Sequence, residues 1–222
     1  MKLSYAGSSN RAMTLFEVFL VVAILMFLAV LLLPALSQQR TPKARAQRIS
    51  CINNLKQVGL AYRVWEGDHN DKYPMMVSVT NGGTMELIGT DPEFVRDTFL
   101  VMSNELSTPK ILHCPADNRN AANSFSPAFT STNISYFIGV DATDSQPQMV
   151  LSGDDNFTVN GTPTHSGLLS LPTNSVVAWT QDRHVKAGNI GLADGSAQQL
   201  TILGLQQAFV STGFATNRLA LP

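Results

Sequence analysis

The residues in this chain that could do chemistry are few: four histidines, two cysteines and sixteen acidic side chains in 222 positions. His184 is followed, nine residues later, by Asp194-Gly195, and a histidine with an aspartate could move protons, with His165 recruited as a second imidazole. No Gly-x-Ser-x-Gly elbow, His-Glu-x-x-His pair or glycine-rich phosphate loop surrounds them, so no nucleophile or metal frame completes a site and no enzyme activity is expected. A structural account suffices: Asp-Gly makes a tight turn, and His184 holds a backbone group near the strand that enters it. Cys51 and Cys114, the latter in His113-Cys114-Pro115-Ala116-Asp117, leave three readings open. In an oxidising compartment they form a disulfide closing a loop of about 60 residues, worth about 4 kcal/mol in the chain-entropy model. Otherwise they are two buried thiols, or metal ligands with His113. Adjacent His-Cys does not match the usual zinc spacings, so no metal site is expected.

The elements that would carry these groups begin with an apolar run. A short polar leader ends at Arg11-Ala12, and Met13-Thr14-Leu15-Phe16-Glu17 opens a stretch that stays apolar to Leu36. Val18 to Leu36 carries no charge over about nineteen positions, roughly 28 Å of helix, which predicts a membrane span over about 18–36. A cleaved secretory signal fits less well. Its apolar core is shorter and its small-residue cleavage site follows that core, whereas here the small polar residues precede it. Glu17 at the mouth of the run costs roughly 2.5–3.5 kcal/mol if buried near the middle of a bilayer, so a partner for it is expected.

These residues resemble the N-termini of type IV prepilins and of the pseudopilins of type II secretion. In that family a leader ends in a small residue, the mature chain begins Phe or Met, then Thr-Leu-x-Glu with the glutamate fifth, and a proline often stands at the twenty-second mature position. Ala12, Met13, Glu17 and Pro34 fall in that register, with Ala12 where the family normally has glycine. The resemblance implies cleavage between Ala12 and Met13 by a membrane aspartic prepilin peptidase, and N-methylation of the new amine. It also implies assembly of subunits through the helix, Glu17 of one pairing with the Met13 amine of its neighbour, while proline chemistry at Pro34 predicts a kink that does not end the helix. Losing one member of such a buried pair costs about 3–5 kcal/mol, so it sets register between helices. The implied orientation puts the leader in the cytoplasm and the remainder outside. The charge count opposes this, because Arg40, Lys43, Arg45 and Arg48 follow the span while only Lys2 and Arg11 precede it.

Beyond Pro34, Ile49, Ile52, Leu55, Gly59, Tyr62 and Trp65 recur at steps of three or four and predict an amphipathic helix over about 37–66. It stops at Glu66-Gly67-Asp68-His69-Asn70-Asp71. The chain therefore divides into a leader (1–12), a pilin helix (13–69) and a head (70–222). Turn-forming residues become dense in the head, and β-prone runs lie at Ser135 to Val140, Ser175 to Thr180, Asn189 to Ala193 and Ala197 to Leu203, with Asp194-Gly195 as a hairpin turn between the last two. Glu93 to Met102 and Leu203 to Val210 read as short helices. The expected fold is α+β and pilin-like: a long N-terminal membrane-spanning helix packed against a small antiparallel-sheet head domain.

A second resemblance covers most of the chain. The His184, Asp194 and Gly195 spacing is similar to a signature of prepilin-like proteins abundant in planctomycetes and verrucomicrobia. Cys51-Ile52-Asn53-Asn54-Leu55-Lys56-Gln57-Val58-Gly59-Leu60, Tyr73-Pro74 and Cys114-Pro115 fit the same group. Major pseudopilins hold calcium in a head loop, and the acidic clusters in loop-like sequence here are Asp141 and Asp144, then Asp154 and Asp155 with Asn156; none fits the EF-hand pattern, no ligands are assigned, and no cofactor is expected. A net charge of −1 gives no reason to expect nucleic acid as a partner. The expected partners are the prepilin peptidase, other pilin or pseudopilin subunits and inner-membrane lipid, and the expected place is the bacterial inner membrane with the head outside the cytoplasm. The function implied is a structural subunit of a type II secretion or type IV pilus-like filament. The alternative is a membrane-anchored extracytoplasmic binding protein that uses prepilin-type export without assembly.

Overall fold

The computed structural model describes residues 15–37 and 40–222, and side chains outside 29–42. The leader, Ala12 and Met13 lie outside the described residues. Two compact units result, residues 1–43 and 44–222. In the first, α1 (Leu15–Ser37) is apolar on every described face except at Glu17 in its first turn, and it continues through Pro34. The sequence predicted one long helix with a membrane span over about 18–36. The structure has α1 and α2 (Arg40–Gly67), with residues 38 and 39 between them outside the described ones, and among the described residues no helix is long and apolar enough to cross a membrane. The membrane-spanning part of the expected fold is therefore corrected. The helix that follows, α2, opens on a basic stretch.

The second unit is built on α2. Cys51, Leu55, Val58, Tyr62 and Trp65 recur at steps of four and three and are all buried, so one stripe of the helix faces the core. The stripe starts later than the sequence suggested, since Ile49 is 53% exposed. Past Gly67 the chain turns through Asn70 and Asp71, both at positive φ (57° and 55°), and the Asp71 amide donates to the Glu66 carbonyl. Short 3-10 turns then lead to α3 (Phe94–Val101) and α4 (Ser103–Leu106), and a further turn at Pro109–Leu112 precedes Cys114.

The strands follow: β1 (Tyr136–Gly139), β2 (Val150–Asp154), β3 (Phe157–Val159), β4 (Thr162–Pro163), β5 (Gly167–Pro172), β6 (Val177–Trp179), β7 (Ala187–Leu192), β8 (Ala197–Thr201), then α5 (Ile202–Ser211) and β9 (Thr216–Leu221). They form a six-stranded antiparallel sheet in the order β5-β9-β1-β2-β7-β8 and a three-stranded antiparallel sheet in the order β4-β3-β6. The head is thus larger in sheet content than the four β-prone runs implied.

Alternation along central β1 explains two cores. Ile138 belongs to a cluster with Val58, Tyr62, Trp65, Phe99 and Leu151, where α2 and α3 cover one face. Phe137 joins Phe157, Trp179, Ile190, Leu205, Phe209 and Leu219, where α5 and the small sheet cover the other. Each large side chain buried this way contributes about 1.5–3 kcal/mol. Tyr136, one residue before Phe137, lies instead in a third cluster with Cys51, Leu55 and Cys114, and this is where the unusual chemistry collects.

Candidate functional site

The turn at Pro109–Leu112 is capped by Thr108, whose hydroxyl accepts from the Lys110 amide, and it delivers His113 and Cys114 to the face of α2. Cys51 and Cys114 are joined as a disulfide, with Cα atoms 5.1 Å apart across a sequence separation of 63. On either side of Cys51, Gln47 donates to the Pro115 carbonyl at 2.8 Å and Asn54 to the His113 carbonyl at 2.9 Å. Three positions on one face of α2, spaced four and three, thus grip residues 113–115.

The same face reads the 184–195 segment. The Arg48 guanidinium donates to the His184 carbonyl at 2.5 Å. Eleven residues further along the helix, about 17 Å, Gly59 meets the turn that contains Gly195. A Cβ on Gly59 would lie 3.0 Å from both the Gly195 Cα and its carbonyl oxygen. Gly195 itself sits at φ 83°, where a side chain is disfavoured. The turn is closed by the Leu192 amide donating to Ser196, the Gly195 amide to Leu192, and the Ser196 amide to the Asp194 carboxylate at 2.8 Å. Tyr73 adds a fourth fastening, its hydroxyl donating to the Ala193 carbonyl at 2.6 Å. His184, Asp194 and Gly195 are therefore two ends of a strap laid along α2, and the residues that separate them are set by what the helix offers at each end.

His184 also has a chemical environment. Its Nε2 lies 3.3 Å from Cys114 Sγ and 3.5 Å from Asp154 Oδ2. Burial lowers its basicity to about 4, with the charges of Arg48 and Arg183 adding to the effect. Burial raises the Asp154 carboxyl to about 7, against the opposing pull of Arg183 and of the Asn189 amide. The pair is therefore a contact between an imidazole and a carboxyl each pushed toward its neutral form, not an ion pair. Asp154 Oδ2 accepts from both the backbone and the side-chain N–H of Asn189, at 2.8 and 2.9 Å.

Beside it runs a buried ion network that the sequence did not announce. Arg183, 5% exposed, bridges Asp117 at 2.7 Å and Asp155 at 2.5 Å and donates to the Ser135 carbonyl at 2.9 Å. Arg119 pairs with Asp155 and donates to the Ile134 carbonyl. The Ser135 hydroxyl donates to Asp117 and accepts from the Cys114 amide, which couples the network to the disulfide. Burial alone raises Asp117, yet Arg183, the Ser135 hydroxyl and Arg119 outweigh it and hold its carboxyl below the ordinary value. The network opens on a cleft of about 280 Å³ lined by Asn156, Thr164, His165, Thr180 and Asp182 among others. His165 lies in this cleft and His184 does not, so the two imidazoles are not brought together as an acid–base pair.

The other predicted positions are placed as follows. Glu17 sits exposed in the first turn of α1, while Ala12 and Met13 fall outside the described residues. The carboxylates of the acidic clusters are engaged with other groups: Asp141 with Arg218, Asp144 with Arg63, Asp155 with two arginines and Asp154 with Asn189. His113, weighed as a third ligand with the cysteines, turns its Nε2 to the Arg119 carbonyl at 2.8 Å instead. His184 takes its place: Cys51, Cys114 and His184 offer ligand atoms all within 4.8 Å of one another, all buried. The missed residues, Arg48, Asp117, Arg183 and Asn189, flank residues that the sequence does single out. Only their long-range contacts were hidden. No protein-family model, no curated protein and no solved structure matches this chain.

Proposed function

We propose that this chain is a pseudopilin-like structural subunit, cut between Ala12 and Met13 by a prepilin peptidase, methylated at the new amine, and assembled through its N-terminal helix into a type II secretion or type IV pilus-like filament. The observation that carries the reading is α1. Its described side chains are apolar around the whole helix and strongly exposed, Phe16 at 73% and Phe19 at 71%, with one carboxylate at Glu17 in the first turn. A surface of that kind needs a cover of equal length and polarity. The same helix of neighbouring subunits is such a cover, and a mature amine four residues before Glu17 is a counter-charge that sets the stagger.

The head supports the reading from the other side. A buried disulfide fits an oxidising compartment outside the cytoplasm, which is where the prepilin resemblance puts this domain. The polar cleft is lined by Asn118, Asn156, Thr164, Thr180 and Asp182 among others, and Arg183 and Arg119 in it are already matched by Asp117 and Asp155. The test is crosslinking in cells with the peptidase, using cysteine pairs placed along α1 of the full chain. Wild type is expected to crosslink to its neighbours, and Glu17→Ala to be cut equally but to lose most of the crosslinked ladder. A ladder unchanged by Glu17→Ala contradicts assembly through this helix.

A further inference from the structure

The disulfide and His184 form a group whose arrangement fits a second ligand chemistry. Tetrahedral zinc takes sulfur at about 2.3 Å and imidazole nitrogen at about 2.0–2.1 Å, which sets a sulfur-to-nitrogen edge of about 3.6 Å. Cys114 Sγ to His184 Nε2 is 3.3 Å, and His184 Nε2 to Asp154 Oδ2 is 3.5 Å. Cys51 completes a set of three donors within 4.8 Å of one another. The Cα atoms of the cysteines, 5.1 Å apart, allow both sulfurs to reach one ion.

We propose that, when the Cys51–Cys114 bond is reduced, the two thiolates and His184 Nε2 bind one zinc-class divalent cation, with the Asp154 carboxyl lying against the imidazole. The site is closed and buried, the form structural metal sites take. Asn189 holds the Asp154 oxygen through two N–H groups, so the carboxyl beside His184 is fixed in place. Two thiolates and a divalent ion sum to zero net charge, which suits a buried site beside the Arg48 guanidinium. The chemistry closes without an unnamed reactant. A dithiol supplies two electrons and two protons, becoming a disulfide while the cysteines become thiols. The thiols then release their two protons to solvent as the metal binds. Reoxidation by a disulfide-class oxidant expels the ion and restores the bond. Residues 113–117 and the His184 turn are thus fastened to α2 in both redox states, by a metal in one and by sulfur in the other.

The experiment uses cobalt(II) as the probe on the full chain, reduced with excess dithiol that is then removed anaerobically. The reduced protein is expected to take one cobalt per chain, with thiolate-to-cobalt charge-transfer bands and the visible absorption of a tetrahedral ion, while the oxidised protein shows neither. His184→Ala, which keeps the disulfide and so can be checked for folding in the oxidised form, is expected to bind at least about tenfold more weakly. The proposal is overturned if the reduced chain binds no more cobalt than a Cys51→Ser, Cys114→Ser double variant, if His184→Ala binds as tightly as wild type, or if the reduced chain stays unfolded by circular dichroism with cobalt in excess.

Discussion

At the scale of single residues, the ion network around Arg183 decides more than any exposed charge. Its two carboxylates are largely withdrawn from solvent, so removing one leaves a guanidinium that is only 5% exposed partly unmatched. Asp117→Asn is expected to cost about 3 kcal/mol at neutral pH in urea unfolding. The sign with pH follows from linkage. Asp117 is held below its ordinary value in the folded chain, so its contribution is complete above the unfolded value of 3.8 and is lost as pH falls through the folded one. The stability gap between wild type and Asp117→Asn should therefore be full at pH 6 and shrink below pH 4, and a gap that widens on acidification would contradict the assignment. Gly59 is the second decisive position. A valine there would push its side chain into the Gly195 turn, and a loss of about 1–3 kcal/mol is expected by thermal or urea unfolding.

Among the elements, α2 and the strap from His184 to Gly195 work as one device. The strap leaves the straight path at Val185 and Lys186, both in the left-handed region at φ 55° and 58°. A β-branched residue there is strained, and Val185 is 63% exposed, so it gains little from packing. Val185→Gly is expected to raise stability by about 1 kcal/mol, measured by the shift of the urea midpoint. The disulfide fixes the other end. Replacing both cysteines by serine frees a loop of 63 residues and should cost about 4 kcal/mol in the oxidised protein, seen as a lower unfolding temperature. Elements written in local sequence were readable: the Asp194-Gly195 hairpin, α2 past Cys51, α3 and α5 all lie close to where turn chemistry and periodicity put them. Strands β2, β3, β4, β5 and β9 were not. Val150–Asp154 contains Ser152 and Gly153, and Gly167–Pro172 begins and ends on turn residues, so each becomes a strand through its partners in the sheet. The charge network was hidden for the same reason: Asp117 and Arg183 are far apart in sequence, and only the fold joins them.

For the molecule as a whole, the division of labour is between a head that is tied internally and a helix whose described side chains are apolar and exposed. The head has two hydrophobic clusters on opposite faces of one sheet, a disulfide and a buried ion network. None of these depends on α1 chemistry. Changes at Glu17 should therefore leave the head's unfolding transition within about 0.5 kcal/mol of wild type while altering assembly. The apolar run and Glu17 were plain in the sequence, but what they were taken to do was not: a membrane span was expected, and the described helices are not long and apolar enough for one. Apolar length alone does not distinguish a helix covered by lipid from one covered by its own kind.

The central claim is that the chain is matured as a prepilin. Intact-mass and N-terminal analysis of the protein from cells carrying a prepilin peptidase tests it most directly. The account predicts a mature chain beginning at N-methylated Met13. A chain that retains residues 1–12, or one cut after Leu36 so that the head is released, would contradict it.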